Sequence, residues 1–361
     1  MSYDIYLPAY SIGADVYKEI NRICLPFGKS AAVIGGRRGM AAVKDKITAA
    51  AAGGIEILDW LWYGGEASYE NVERLKNESA VMSADMLFAA GGGKAIDTAK
   101  ALAEVTGKPV FTFPTIASNC AACTSVSIMY NPDGSFLKPF FFKKPPTHAF
   151  IDSEVIAKSP ARYMWAGMGD TYAKYFESSV SSRGERVPHY IALGTANASM
   201  CYEPIMEYGA KAYADQQAGE NSYELEQAVL AIIVSTAVAS ILLTTDKVID
   251  YNTGLAHAIF YALTSYPHIE SNHLHGEVVA YGVLVLLLVD GNEADFERVF
   301  SFNRSVGLPT KLADIEMDTG ELQSLVRAAA AMNDIEHNPY AITEEMLEKA
   351  FLELEKRNIN L

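Results

Sequence analysis

Three features are scarce in this 361-residue sequence, and each scarcity narrows the class of protein. Four cysteines are too few for a disulfide scaffold, which indicates a reducing cytoplasm. Lysine and arginine total 29 against 44 aspartates and glutamates, and the net charge of -15 argues against nucleic acid or an anionic membrane as partner. Long apolar runs are also missing. Residues 228–243 and 278–289 fall short of the roughly 20 residues of a membrane span, so we interpret both as buried helices, and residues 1–8 lack a secretory-signal pattern.

The length allows two domains with a core in each. Up to about residue 155, short β-rich runs alternate with helical segments, which predicts a parallel sheet with helices on both faces. Beyond Ser159 the strand patterns stop and long helical patterns follow. We therefore predict an α/β domain over 1–155 and an all-helical domain over 156–361. The predicted strands are 31–34, 54–58, 86–88 and 109–113, with a hairpin arm over 128–136 that turns at 131–134; the predicted helices are 69–77, 161–178, 224–244, 276–288 and 344–356.

A triple glycine follows the predicted strand 86–88 and leads into a helical pattern. Gly91, Gly92 and Gly93 leave bare backbone N–H groups that a ligand can approach closely. The helix N-terminus behind them carries a positive dipole that suits a phosphate, and Lys94 adds a mobile cation. We interpret this segment as a pyrophosphate-binding turn, although it matches neither GxGxxG nor the P-loop pattern. The alternative is a tight helix start without a ligand.

Three residues of the second half are candidate metal ligands. Asp170 is the last residue of the sequence GMGD, and the pattern places it at the start of a helix. The alternative to a metal ligand there is an N-cap, because Asp favours that position. His257 lies in an apolar segment, where a core histidine bonded to backbone is the alternative, and His275 opens an apolar helix close to His268 and His273. One carboxylate and two imidazoles would bind a divalent metal and leave a fourth position open.

Five motifs, in this order along the chain, resemble the glycerol dehydrogenase branch of the metal-dependent, so-called iron-containing alcohol dehydrogenase superfamily. The resemblance implies a dehydroquinate synthase-like two-domain fold, with an N-terminal dinucleotide-binding α/β domain and an all-helical C-terminal domain. It also implies reversible hydride transfer between NAD or NADP and a carbon bearing oxygen, in a cleft between the domains of a homo-oligomer. The motifs are GGGKAIDTAK (91–100), PTIASNCAACTSVSIMY (114–130), GMGD (167–170), GLAHAI (254–259) and HGEVVAYG (275–282).

The resemblance also assigns roles to residues. Metal binding and catalysis fall on Asp170, His257 and His275. Iron-using relatives add a histidine where this chain has Lys174, so zinc is the expected metal; Lys174 and His273 are candidates for a proton relay. The implied cofactor contacts are Gly36, Arg37, Gly91, Gly92, Gly93, Lys94, Asp97, Thr115, Ser118, Thr124, Val126 and Tyr130.

Two departures from the branch bear on specificity. Glycerol dehydrogenases usually carry an Asp after the first strand, but this chain has Gly36 followed by Arg37 and Arg38, which would admit a 2′-phosphate and favours NADP slightly over NAD. The alternative is that the arginines only face solvent. Cys120 replaces an Asp associated with the polyol substrate, and the surrounding run is closer to hydroxycarboxylate dehydrogenases, which reduce small 2-oxo acids. A redox role for Cys120 and Cys123 is disfavoured, because the context of a thioredoxin motif is missing.

Two other classes of protein remain as alternatives to a dehydrogenase. One is a dehydroquinate synthase-like lyase that uses NAD and a metal; Asp170 and the acidic balance argue against it, because those enzymes present a Glu and several basic residues. The other is a non-catalytic nucleotide-binding protein derived from the same fold, and the intact metal-ligand set argues against it.

Overall fold

The computed structural model describes residues 3–247 and 251–359, so the first two residues of the segment 1–8 lie outside the described part. The chain divides into two compact units. The first comprises Met1–Pro160 and Asp215–Val229, and the second comprises Ala161–Ala214 and Leu230–Leu361.

A six-stranded parallel sheet organises the described part of the first unit, with strand order β1-β8-β5-β4-β2-β3. The four strands predicted from sequence are β2 to β5, which confirms the parallel α/β expectation. The other two strands, the edge strand β1 and its neighbour β8, are three and four residues long, too short to show alternation in sequence. The strands of this sheet are β1 Tyr10–Ile12, β2 Ser30–Gly35, β3 Glu56–Trp62, β4 Met86–Gly91, β5 Val110–Pro114 and β8 His148–Ile151.

The predicted hairpin is present as the antiparallel pair β6 (Val126–Tyr130) and β7 (Phe136–Phe141). Its turn closes through the Gly134 N–H, which donates to Asn131 O at 2.9 Å. Gly134 has a φ of 90°, a conformation that glycine adopts without steric cost.

Short helices flank the parallel sheet, and phenylalanines from its central strands fill the core beside them. Phe113 of β5 stacks on Phe150 of β8 with ring centroids 5.0 Å apart, and Phe88 of β4 lies 4.9 Å from Phe113. This packing holds the carboxyl ends of β2, β4 and β5 side by side, which is where ligands bind on such sheets. The α-helices up to residue 160 are α1 Ile20–Cys24, α2 Arg37–Ala51, α3 Tyr69–Lys76, α4 Ser79–Ser83, α5 Gly93–Thr106 and α6 Ser153–Ala157; 3-10 helices cover Val16–Glu19 and Leu25–Phe27.

Beyond residue 160 the described residues form helices and no strand, as predicted. The 30-residue α8 was not predicted; Pro204 lies inside it, and proline ordinarily marks a helix end. These helices are α7 Arg162–Ser181, α8 His189–Ala218, α9 Tyr223–Leu230, α10 Thr236–Leu243, α11 Leu255–Thr264, α12 Pro267–Asn272, α13 His275–Asp290, α14 Glu293–Val306, α15 Leu322–Ala330 and α16 Glu344–Ile359; a π-helix covers Ala231–Ser235, and 3-10 helices cover Leu312–Ile315, Thr319–Glu321 and Asn333–Ile335.

One helical stretch, Tyr223–Leu243, is long and apolar enough to cross a membrane by length and composition. Its most apolar window is 72% buried inside the protein, as in the core helix of a soluble fold. The sequence prediction of a buried helix over 228–243 is confirmed, and residues 278–289 likewise lie in the largely buried helix α13.

Candidate cofactor turn and metal centre

The triple glycine forms a turn whose surface is main chain. β4 ends at Gly91, whose φ is 147°, and α5 begins at Gly93. A Cβ on Gly92 would lie 2.7 Å from Ile116 Cδ1, and one on Gly93 would lie 2.7 Å from Asn119 Nδ2. Both positions are therefore closely packed, and glycine puts no side chain of its own in front of the backbone N–H groups at the start of α5, as an anion requires.

A second helix start lies beside this turn. Gly36 is the N-cap of α2, and a Cβ on Gly39, in the first turn of α2, would lie 2.8 Å from Gly91 Cα. On the other side, the Thr115 N–H donates to Gly91 O at 3.1 Å. The structure thus brings Gly36, Gly91 and Thr115 to one edge of the sheet, at the carboxyl ends of adjacent strands.

Lys94, which the sequence predicts as a mobile cation at this turn, contacts two side chains. Its ammonium forms an ion pair with Glu66 and lies 4.8 Å from the centroid of the Tyr130 ring. Burial, with the nearby charges of Asp97 and Glu66, raises the pKa of Tyr130 to about 12. A phosphate at the glycine turn would therefore have to share Lys94 with the Glu66 carboxylate.

Asp97 is buried at 7% exposure, and its carboxylate lies 2.9 Å from the Lys100 ammonium. Lys100 also donates to Ala121 O at 2.8 Å and to Val126 O at 2.5 Å. The pair therefore fastens α5 to the segment that carries Thr124 and Val126. As a direct cofactor contact Asp97 stays a prediction, and the anchoring role of Lys100 was missed from sequence, although its i+3 spacing from Asp97 was a signal.

The loop after β5 holds three more predicted positions. Ser118 and Cys120 are half-buried, and the Cys123 N–H donates to Cys120 O at 2.9 Å, which makes the two cysteines the ends of one turn. Cys123 is buried, and desolvation raises its thiol pKa, which disfavours a thiolate there. Sequence reasoning missed Asn119, whose side chain covers the glycine turn at Gly93.

Arg37 is exposed at the start of α2. Its guanidinium lies 4.9 Å from the centroid of the Trp62 ring, at the end of the neighbouring strand β3. A cation stacked on an aromatic face is held without a carboxylate partner, so its N–H groups stay available to an anion.

The three predicted metal ligands meet in the second unit, each from a different helix. Asp170 comes from α7, His257 from α11, and His275 is the first residue of α13. One ligand atom from each lies within 4.8 Å of the others. Asp170 Oδ1 is 3.2 Å from His275 Nε2 and 3.5 Å from His257 Nε2. The His275 side chain is 47% exposed, so the cluster is open on one side.

The expectation that Asp170 starts a helix is wrong, and with it the N-cap alternative. α7 begins at Arg162, and Asp170 sits in its interior. Gly169, one of the two glycines that suggested a helix start, is a packing position together with Gly276: a Cβ on Gly169 would lie 2.2 Å from Gly276 O, and one on Gly276 would lie 2.0 Å from Ala166 O. They allow α7 and α13 to cross closely enough for Asp170 to reach His275.

A buried carboxylate that sequence reasoning missed lies behind His257. Glu177 Oε2 is 2.7 Å from His257 Nδ1, and its side chain is 0% exposed. Burial alone would lower the His257 pKa, but the charges of Glu177 and Asp170 raise it to about 9. Burial alone would raise the Asp170 pKa, but the His275 and His257 imidazoles hold it well below its usual range. In this cluster the Asp170 carboxylate is therefore stabilised in its charged form and favours a cation next to it. A divalent metal would meet the same preference.

The two proton-relay candidates lie in other contacts. Lys174, one turn after Asp170, is buried and donates to Asn252 O. His273 Nδ1 lies 2.8 Å from Glu277 Oε1, so His273 belongs to the residues that cap α13 and not to the ligand cluster. Their roles as proton donors stay predictions.

Comparison with known proteins identifies the class. The family model described as iron-containing alcohol dehydrogenase matches residues 8–153. The glycerol dehydrogenase of Thermotoga maritima is 38% identical over 295 residues, which cover 78% of each chain. The chain therefore belongs to the iron-containing alcohol dehydrogenase family, as the motifs indicated.

Within that family the similarity extends to two kinds of enzyme. Hydroxycarboxylate dehydrogenase A of Escherichia coli is 31% identical over 89% of this chain and 88% of its own length. The crystal structure of a probable glycerol dehydrogenase from Sinorhizobium meliloti superposes with a TM-score of 0.82 at 27% identity, covering 100% of both chains. The dehydroquinate synthase-like lyase is not favoured, because these relatives are oxidoreductases acting on CH–OH groups.

Proposed function

We propose that this chain is a metal-dependent, NAD(P)(H)-linked oxidoreductase that transfers hydride between the nicotinamide and a small polyol, hydroxy-carbonyl compound or 2-hydroxy/2-oxo acid. The observation that carries the proposal is the convergence of Asp170, His257 and His275 from three helices of a chain in this family. Packing of a helical core alone does not explain why a carboxylate and two imidazoles converge at one partly exposed site, because burying charged groups is costly.

The three side chains fit a divalent metal. Their donor set is one carboxylate oxygen and two imidazole nitrogens, and the exposed side at His275 leaves room for a further ligand. A metal bound there would supply Lewis acidity at the oxygen of the reacting carbon. We favour zinc, because the position at which iron-using relatives carry a histidine holds Lys174 here, and Lys174 is engaged with a backbone carbonyl.

The cofactor role rests on the two helix starts beside each other in the first unit. Bare N–H groups at Gly92 and Gly93 would bind the pyrophosphate, with Gly36, Gly91, Thr115, Ser118, Thr124, Val126 and Tyr130 as further contacts. The nicotinamide would supply or accept the hydride, while the chain's residues hold it in line with the substrate carbon.

Two details refine the proposal. NADP is favoured slightly over NAD for two reasons. The Arg37 guanidinium stacks on the Trp62 ring and keeps its N–H groups available to a 2′-phosphate, and no carboxylate that would repel this phosphate follows β2. A 2-oxo acid is favoured over glycerol, because Cys120 offers a substrate hydroxyl a poorer acceptor than Asp does and would not repel a carboxylate. Similarity to a hydroxycarboxylate dehydrogenase supports this second refinement.

We further propose an NAD(P)-binding domain over 1–155 and a helical metal-binding domain over 156–361, with the chain working as a cytoplasmic homo-oligomer. The sheet up to residue 151 and the helices beyond 160 support this division, whereas residues 215–229, placed in the second domain by it, group with the first compact unit. The acidic balance supports small molecules as ligands, without nucleic acid or membrane.

The test follows nicotinamide absorbance during reduction of 2-oxobutanoate, 2-oxoglutarate, dihydroxyacetone and methylglyoxal. Each is tried with NADH and NADPH, before and after chelation, with zinc added back. Oxidation of NADPH by the oxo acids, lost on chelation and restored by zinc, is the expected result. Turnover of dihydroxyacetone with NADH alone would contradict the interpretations of Cys120 and Arg37, and inactivity throughout would contradict the proposed function.

A further inference from the structure

Glu177 lies two turns after Asp170 on α7, and a spacing of seven residues places both on one face of the helix. Unlike Asp170, whose side chain is 18% exposed, Glu177 is fully buried. A buried carboxylate is stable only when it is paired and hydrogen-bonded, so its contacts show what it does.

Both oxygens of the Glu177 carboxylate contact residues at the start of α11. Oε1 accepts the backbone N–H groups of Gly254 and His257, each at 2.9 Å. Oε2 lies 2.7 Å from His257 Nδ1. Gly254 leaves the space for this approach, since a Cβ there would lie 3.3 Å from Glu177 Cβ. One carboxylate thus fixes both the backbone and the ring of His257.

This geometry sets the orientation and the proton of the His257 ring. A carboxylate only accepts hydrogen bonds, so it requires a proton on Nδ1. The other ring nitrogen, Nε2, faces Asp170 Oδ1 at 3.5 Å. We propose that Glu177 is a positioning residue of the metal centre, which holds His257 in the tautomer that presents Nε2 to the metal. The inference rests on the proposed metal-dependent function.

Glutamine at position 177 separates this role from simple helix anchoring. Its carbonyl oxygen can still accept the N–H groups of Gly254 and His257, so α11 stays attached. Its amide NH₂ would face His257 Nδ1 and donate to it, which moves the ring proton to Nε2 and blocks that nitrogen as a ligand. If Glu177 only anchors α11, Glu177→Gln leaves metal affinity unchanged.

The experiment measures zinc affinity by chelator competition, and the unfolding midpoint of the metal-free protein, for wild type and Glu177→Gln. The control is Glu185→Gln, which replaces an exposed carboxylate whose Oε1 lies 3.4 Å from His337 Nδ1 in the same unit; neither residue belongs to the ligand cluster. We expect Glu177→Gln to bind zinc about 10- to 100-fold more weakly, and the control to stay within about twofold of wild type.

The outcomes distinguish this inference from the proposed function. Wild type that binds no zinc would refute the metal centre itself. Wild-type affinity in a folded Glu177→Gln would overturn the role of Glu177 alone. If that variant does not fold, ring-nitrogen NMR of ¹⁵N-histidine-labelled, zinc-loaded wild type decides, with His257→Asn assigning the signals. A protonated Nδ1 and a metal-shifted Nε2 on His257 are expected, and zinc on Nδ1 would overturn the inference.

Discussion

Gly169→Ala tests whether the close crossing of α7 and α13 assembles the metal centre. Gly169 lies in the interior of α7, where alanine is intrinsically about 1 kcal/mol more favourable than glycine. Helix propensity alone would therefore make the variant more stable. The crossing predicts the opposite sign, because the new Cβ would lie 2.2 Å from Gly276 O and 2.8 Å from Ala280 Cβ.

The size of the effect follows from these distances. Real Cβ contacts essentially never fall below 3.0 Å, so the two helices would have to separate by nearly 1 Å. Overpacking of this kind costs about 1–3 kcal/mol, which outweighs the gain in helix propensity. Metal–ligand distances tolerate only about 0.2 Å, so the same displacement of His275 from Asp170 should abolish tight zinc binding.

The assay combines urea unfolding of the metal-free protein with zinc affinity by chelator competition. Gly194→Ala is the matched control: it also replaces a mid-helix glycine, but the new Cβ would meet Leu242 and Leu243 at 3.0–3.1 Å, so these neighbours need to give by only a few tenths of an ångström. We expect the control to bind zinc like wild type. A Gly169→Ala protein as stable as wild type, with unchanged zinc affinity, would refute the reasoning.

Three further predictions address other parts of the molecule. Lys100→Met leaves the buried Asp97 carboxylate unpaired and should lower the free energy of unfolding by about 3–5 kcal/mol; an unchanged urea midpoint would contradict the anchoring role. The His257 pKa is raised to about 9, so a proton competes with the metal for this imidazole below that pH. Zinc affinity, corrected for the pH dependence of the chelator, should therefore rise by up to about tenfold per pH unit towards pH 9. A zinc affinity that does not change between pH 6 and 8 would contradict this competition. Arg37→Ala should raise KM for NADPH about tenfold and leave KM for NADH within about twofold; an unchanged KM for both cofactors would show that Arg37 only faces solvent beside Trp62.

Strand and helix alternation was enough to predict the sheet and the helical second half. The four predicted strands, β2 to β5, are mostly apolar runs with glycine or proline at or near their ends, which is why they stand out in sequence. β1 and β8 are too short to carry a periodic signal, and their place in the sheet depends on pairing between distant residues. α8 escaped prediction although it is 30 residues long, and Pro204 in its interior is a residue type that ordinarily marks a helix end.

The candidate site was only partly visible in sequence. Residue chemistry and motif resemblance selected Asp170, His257 and His275. The glycines beside Asp170 suggested a helix start, whereas Gly169 is a packing position inside α7. Helix crossings are tertiary facts, so the sequence pattern alone does not distinguish the two. Glu177 was detectable in principle by its seven-residue spacing from Asp170, whereas its hydrogen bonds to α11 depend on the fold.

The most direct test of the central claim compares wild type with His257→Ala. Cofactor binding is followed by nicotinamide fluorescence and turnover by nicotinamide absorbance, with the best substrate of the panel and zinc present. We expect the variant to bind the cofactor as wild type does, because the predicted cofactor residues belong to the first unit. We expect its turnover to be lost. Full turnover by His257→Ala would contradict metal-dependent hydride transfer at this centre.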